Sequence, residues 1–182
     1  SSWQAISINP GSMPVRTSLL ESAESLVSMF QTISTQTEFL LTDLNLQVEK
    51  KIDHINSLAD QIASLNRDIT AATAVGYQPN DLLDRRDLLL DELSFLVDIR
   101  VIEQPTGAAN ISLGGKLLVQ DTKTYQIEAA TVDEYIVPVW SKDGSELSLI
   151  RGELAGLNDV SQYIRTKVYG GLNELAVELT TA

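Results

Sequence analysis

From about Val15 to Val75, large apolar side chains recur in threes and fours: Leu19, Leu26, Phe30, Ile33, Leu40, Leu44, Val48, Ile52, Ile55, Leu58, Ile62, Leu65 and Ile69. This spacing lays one apolar stripe along one face of a helix. Neither Gly nor Pro interrupts residues 15–75. The pattern therefore predicts a single helix of about 60 residues, about 90 Å long at the usual rise. Helices of globular domains rarely reach that length, which points to a rod or coiled-coil-like architecture. A one-residue slip in the stripe near Val48 predicts a local change of supercoil or a bend. The other faces are rich in Ser, Thr, Gln and Asn. Such faces suit packing on neighbouring copies through neutral hydrogen bonds.

Punctuation and period divide the rest of the chain. In residues 1–14, Asn9-Pro10-Gly11 and Met13-Pro14 predict turns outside any helix. Gly76-Tyr77-Gln78-Pro79 breaks the long helix, and Asn80 is the expected N-cap of a second helix over about 81–96. Leu82, Leu83, Leu89, Leu90, Leu93 and Leu96 form its apolar face, and the short break predicts an antiparallel hairpin. Residues 97–150 then change to period two. Val97–Val101, Asn110–Leu113, Lys116–Val119, Tyr125–Ala129, Tyr135–Trp140 and Leu147–Ile150 read as five or six short antiparallel strands. Gly114-Gly115 and Asp143-Gly144 are hairpin-type turns, and Pro138 suits an edge strand. After Gly152 the helical spacing returns through Leu154, Leu157, Ile164, Val168, Leu172, Leu175 and Leu179. Gly170-Gly171 inside it predicts a close helix contact.

These elements predict an α+β fold, mainly α: an antiparallel bundle of long helices with a small antiparallel β-domain inserted before the last helix. Residues 1–97 hold the first part of the helical core, with helices at about 15–75 and 81–96. Residues 98–150 form the small β-domain, and 151–182 the returning helix that completes the bundle. The chain stops inside a helical pattern, as a fragment of a longer protein would.

Composition narrows the function classes. With 43% apolar residues the chain can bury a core. A net charge of −12, from 25 acidic and 13 basic side chains, opposes binding to nucleic acid or anionic lipid. The absence of cysteine removes disulfides, thiolate-ligated metals and thiol catalysis.

Candidate chemistry is sparse. Asp81, Asp84, Asp87 and Asp91 share one side of the second helix, yet follow no calcium-loop spacing. Two of them lie in the first turn, where the helix dipole favours negative charge, and Arg85 is placed to pair with Asp81. Asp87 and Asp91 repel one another at i,i+4, which Arg86 or a neighbouring subunit would relieve. His54 is the only histidine, and Asp53 beside it points about 100° away, so the two form no catalytic pair. Gly114-Gly115-Lys116 lacks the earlier Gly, the Ser/Thr and the helix of a phosphate loop. Asn110-Ile111-Ser112 is a glycosylation sequon by pattern alone, and Trp3 and Trp140 read as packing anchors. No catalytic, cofactor or metal residues are assigned, and an enzyme is not expected.

Four segments carry a family resemblance. Asn80–Leu93 resembles the N-D-L-L-D-x-R-D-x-L-x-x-E-L segment of the flagellar hook-associated protein 1 family. Trp3-Gln4 through Asn9-Pro10 and then Arg16–Ala23 is similar to that family's entry to a long helix. Ile55–Asn66 resembles its helical core, and Gly152–Leu157 its return from the β-region. The resemblance implies a non-enzymatic structural subunit, secreted through the flagellar type III apparatus and placed between hook and filament. The implied partners are copies of itself in a ring, the hook protein, the adjacent hook-associated protein, and an export chaperone acting through a C-terminal segment. Terminal assembly segments of the family are not recognisable here. The alternatives are another axial protein, such as hook-associated protein 3 or a flagellin-like subunit, and a secreted stalk-and-head adhesin or binding protein.

Overall fold

In a computed structural model, which describes residues 8, 11–132 and 135–181, the long apolar stripe lies on one unbroken helix, α1 (Met13–Ala74). Its start corrects the expectation for Met13-Pro14. Pro14 sits in the first helical turn, where a missing N–H costs nothing, and the Arg16 N–H donates to the Ser12 carbonyl. Asn9, Pro10 and Trp3 lie outside the described residues. At the other end Gly76, at φ +80°, closes the helix: its N–H donates to the Thr73 carbonyl, and that of Tyr77 to the Ala72 carbonyl.

The second helix, α2, spans Asn80–Leu96. Its cap is Pro79 rather than Asn80. The Pro79 carbonyl accepts from the Leu82 and Leu83 N–H groups, and no side chain caps the turn. Six strands follow: β1 (Ile99–Glu103), β2 (Ala109–Leu113), β3 (Lys116–Gln120), β4 (Lys123–Thr124), β5 (Ile127–Val132) and β6 (Tyr135–Trp140). They form two antiparallel sheets, β1-β2-β3-β4 and β5-β6. Opposite Ile111 and Ser112 the β2–β3 register shifts by a bulge at Leu118, the extra residue of β3. The bulge lets consecutive Leu118 and Val119 both turn inward, against the usual alternation. Val97 belongs to the end of α2, as its extended C-cap. Leu147–Ile150 is no strand; only a single bridge joins Val139 to Glu146. The Leu147 N–H still donates to the Pro138 carbonyl of β6, but the pairing goes no further, and Leu147 is buried while Ile150 is exposed.

The returning helix is α3 (Glu153–Tyr163), a π-helical stretch (Ile164–Tyr169) and α4 (Gly170–Thr181). A Cβ added at Gly170 or Gly171 would meet nothing within 4 Å, so no close contact is made at this pair among the described residues.

The chain divides into two compact units. One comprises residues 43–162. Its core joins Val48, Ile52, Ile55, Leu58 and Ile62 of α1, Leu93 and Leu96 of α2, Ile111, Leu113, Leu118 and Val119 of the first sheet, and Trp140 and Leu154. The other comprises residues 1–42 and 163–182. There the Tyr169 hydroxyl donates to Glu38 Oε1 at 2.8 Å.

The helix–sheet joint and the candidate assembly surface

The side of α1 facing the sheets contains more than apolar residues. Asn45, Val48, Ile52, Asn56, Ala59, Ala63 and Asn66 follow one another in threes and fours. Ala59 and Ala63 are both buried. The three asparagines then treat strand edges as a neighbouring strand would. The Asn56 amide donates to the Ile127 carbonyl at 2.8 Å and accepts the Ile127 N–H at 2.9 Å. Asn45 Oδ1 accepts the Ile136 N–H at 3.1 Å. Asn66, fully buried, accepts the Ala109 N–H and donates to the carbonyls of Ala109 and Asp121. Asp121 stands at φ +53° in the β3–β4 turn, and its N–H is held by Asn110 Oδ1. A helix side thus satisfies backbone groups that the small sheets leave open.

Arg86 is the other joint residue. It is 1% exposed, and its guanidinium donates to the Gly107 carbonyl at 2.7 Å and to Glu103 Oε1 at 2.8 Å. Its Nε finds no partner. The expectation that Arg86 relieves Asp87 and Asp91 is therefore corrected, because its side chain turns inward to hold the β1–β2 turn. Since Glu103 remains 73% exposed, loss of the arginine strands no buried charge. Arg86→Met is expected to change stability by only about 1 kcal/mol. Arg86→Ala, which leaves a void, should cost about 3 kcal/mol. Urea unfolding of the two variants tests this contrast.

The remaining candidates lie at the surface. His54 Nε2 is 3.1 Å from Glu92 Oε1, which ties α1 to the returning α2. Lys51 pairs with Glu153 at 2.9 Å, fixing the start of α3. Gly114-Gly115 forms the β2–β3 turn, and Lys116 pairs with the Asp143 carboxylate at 2.7 Å. Lys116 and the Ser145 hydroxyl and N–H hold the Asp143 carboxyl well below the usual carboxylate range. A carboxyl with a depressed pKa stabilises the fold above its unfolded value, and that contribution fades as pH falls through the folded value. In an NMR titration Asp143 should stay ionised after ordinary carboxylates protonate, and Lys116→Met should bring its midpoint back toward 3.8. The four aspartates of α2 are all exposed, and no ion pair joins Arg85 to Asp81 among the described residues. No group of three or more His, Asp or Glu side chains could hold a metal ion among the described residues. No described helix is long and apolar enough to cross a membrane.

The apolar stripe of α1 is covered unevenly. From Leu44 onward Val48, Ile52, Ile55, Leu58, Ile62 and Ile69 are buried, whereas Leu26, Ile33 and Leu40 are exposed. Within the unit of residues 1–42 and 163–182, Leu26, Met29, Phe30 and Ile33 face Leu172, Leu175 and Leu179 across an open groove of about 610 Å³. An apolar surface of this kind is characteristic of a segment built to pack against further protein.

Over residues 1–182 the sequence matches the family described as "Flagellar hook-associated protein FlgK helical domain". The chain belongs to this family. Among FlgK relatives it is 36% identical over 131 residues to flagellar hook-associated protein 1 of Escherichia coli K12, and 33% identical over 106 residues to that of Bacillus subtilis 168. These matches take in 70% and 58% of this chain but only 24% and 21% of the relatives' lengths. The structure titled as that of the flagellar hook junction protein FlgK from Burkholderia pseudomallei superposes with a TM-score of 0.73 at 26% identity. It covers 86% of this chain and 30% of that one. The FlgK fold is thus shared: a long first helix, a small antiparallel β-region and a final helix. Two of the segments that resemble the family meet at the helix–sheet joint, through Asn56 and Asn66 and through Arg86, and a third brings Gly152 against the end of α2. Gly152, at φ +96°, lies so close to the end of α2 that an added Cβ would stand 2.5 Å from the Leu96 carbonyl oxygen.

Proposed function

We propose that this chain is a structural part of the bacterial flagellum that joins the hook to the filament, acting by subunit packing and not by catalysis. The family match across residues 1–182 carries the reading. The open apolar side of α1 before Leu44 supports it, because a packing subunit must keep surface for its neighbours. In this reading the partners are copies of the chain in a ring, the hook protein and the adjacent hook-associated protein. The protein reaches its extracellular place through the flagellar export route, with a chaperone attending the C-terminal part of the whole polypeptide.

The test is genetic and structural. Cells lacking the gene should build hooks that carry no filament and should swim poorly. Restoring the gene should return filaments, and antibody-labelled electron microscopy should place the protein in a narrow band at the junction. Normal filaments in the deletion strain, or label spread over the cell surface, would sink the reading.

A further inference from the structure

The stripe on α2 that faces solvent is unlike a merely solvated surface. Leu88 is 69% exposed and Phe95 78% exposed. They lie seven residues apart, so they stand about 10 Å from one another along the middle of the exposed face. Asp84 and Asp91 flank them on one side, and Asp81 and Arg85 on the other. The inner face is separate and complete: Leu93 and Leu96 are in the core and Leu89 and Leu90 pack against it. The helix therefore has a second apolar strip with a carboxylate border. That border is net acidic: Arg85 is its one exposed cation, Arg86 has turned inward, and none of Asp81, Asp84, Asp87 or Asp91 joins an ion pair among the described residues. The like-charged aspartates at i,i+3 and i,i+4 destabilise the free helix.

We propose that this outer face of α2 docks a basic protein surface in which Lys or Arg side chains surround an apolar recess. Leu88 and Phe95 enter the recess, and the aspartates meet the surrounding cations. Charge complementarity selects the occupant. A second copy of this chain would bring the same acidic helix and a net charge of −12, so the partner is a different polypeptide. That the partner is a neighbouring flagellar subunit rests on the function proposed above; the chemistry of the surface does not.

The test uses the intact protein in its own cells, with the photoreactive residue p-benzoylphenylalanine in place of Phe95. Irradiated flagella should yield a product joined to a different polypeptide, at a segment where Lys or Arg flanks apolar residues. Leu88→Ser with Phe95→Ser should lower the protein retained in isolated flagella about tenfold, as loss of a central anchor does. Asp84→Asn with Asp91→Asn should lower the cross-link yield several-fold, and raised salt should do the same to the unaltered border. All four positions are exposed, so the serine pair should leave the melting temperature at that of the parent, and the asparagine pair, which removes like-charge repulsion, should not lower it. A product joined to a second copy, or to a remote part of the same polypeptide, would overturn the proposal. So would unchanged retention with no cross-link. If the parent protein is missing from flagella, the functional reading falls; if it is present and Phe95 stays uncoupled, only this inference falls.

Discussion

Replacing Gly152 by alanine is expected to destabilise the protein by about 3 kcal/mol or more, lowering its melting temperature by roughly 10 °C. Two costs combine. At φ +96° an L side chain is strained wherever it stands. The new Cβ would also lie 2.5 Å from the Leu96 carbonyl oxygen, 2.7 Å from its carbon and 2.8 Å from the Val97 Cα. All of these are backbone atoms, so no side chain can swing aside. The residue joins two elements at once: its carbonyl accepts the Gly156 N–H to begin α3, while its Cα rests on the last turn of α2. Relief would require moving α3, and its Leu154 with it, away from Leu93 and Leu96 in the core. Gly156→Ala is the matched control. It lies inside α3 with nothing within 4 Å of an added Cβ, so it should stabilise by about 0.5–1 kcal/mol. Thermal unfolding of both variants decides the point. Equal and small effects would show that the contact between Gly152 and the end of α2 is not a constraint.

Elements with a sustained period were readable from the chain alone. The long stripe fixes a helix because thirteen apolar positions agree on one face, and the observed bounds, Met13–Ala74, differ from 15–75 by one or two residues. The β2–β3 hairpin was readable because Gly114-Gly115 separates two alternating runs. What lies against a face is another matter. The stripe runs through Leu44 with only a one-residue slip near Val48, yet full burial begins at Leu44, since periodicity records a side and not its occupant. Polar residues were harder still. Asn56 and Asn66 were counted with the Ser, Thr and Gln of a neutral outer face, because an asparagine that pairs with water and one that pairs with a strand look alike in sequence. Their signal was positional: both fall in the same three-four series as Ile52, Ala59 and Ala63, where a solvated residue has no reason to be. Arg86 was read as a surface cation for the same reason, among three neighbouring aspartates that do face water. Leu147–Ile150 alternated as a strand should, yet it leaves the edge of β6 after one bridge and the Leu147 N–H bond to Pro138, which alternation alone does not foretell.

The largest polar effect should come from Asn66→Leu, which nearly preserves volume and removes every hydrogen bond of the side chain. Wild-type Asn66 accepts the Ala109 N–H at 2.9 Å and donates to the Ala109 and Asp121 carbonyls at 2.8 and 2.6 Å. Asn66 and Ala109 are both fully buried, so water cannot replace what leucine withholds at that residue. Each backbone group left unpaired there costs about 1–3 kcal/mol, which places the variant on the order of 3–5 kcal/mol below the parent. Asn56→Leu makes a good comparison. Asn56 has the same pairing with Ile127, itself buried, but stands half-buried at an open cleft that both residues line, so solvent can reach the freed groups and the loss should be smaller, about 1–2 kcal/mol. Asn66→Asp adds a test of sign. Ionised, it would set a carboxylate against two carbonyl oxygens, so its folded pKa would be raised above the ordinary value. Stability would then be greatest at low pH, where the protonated carboxyl can still donate once, and would fall as pH rises through the folded pKa. Urea unfolding across pH, with hydrogen exchange at Ala109 as the local readout, follows both variants. An Asn66→Leu protein within about 1 kcal/mol of the parent would mean that the sheets are held to α1 by apolar packing alone and that the asparagine contacts are incidental.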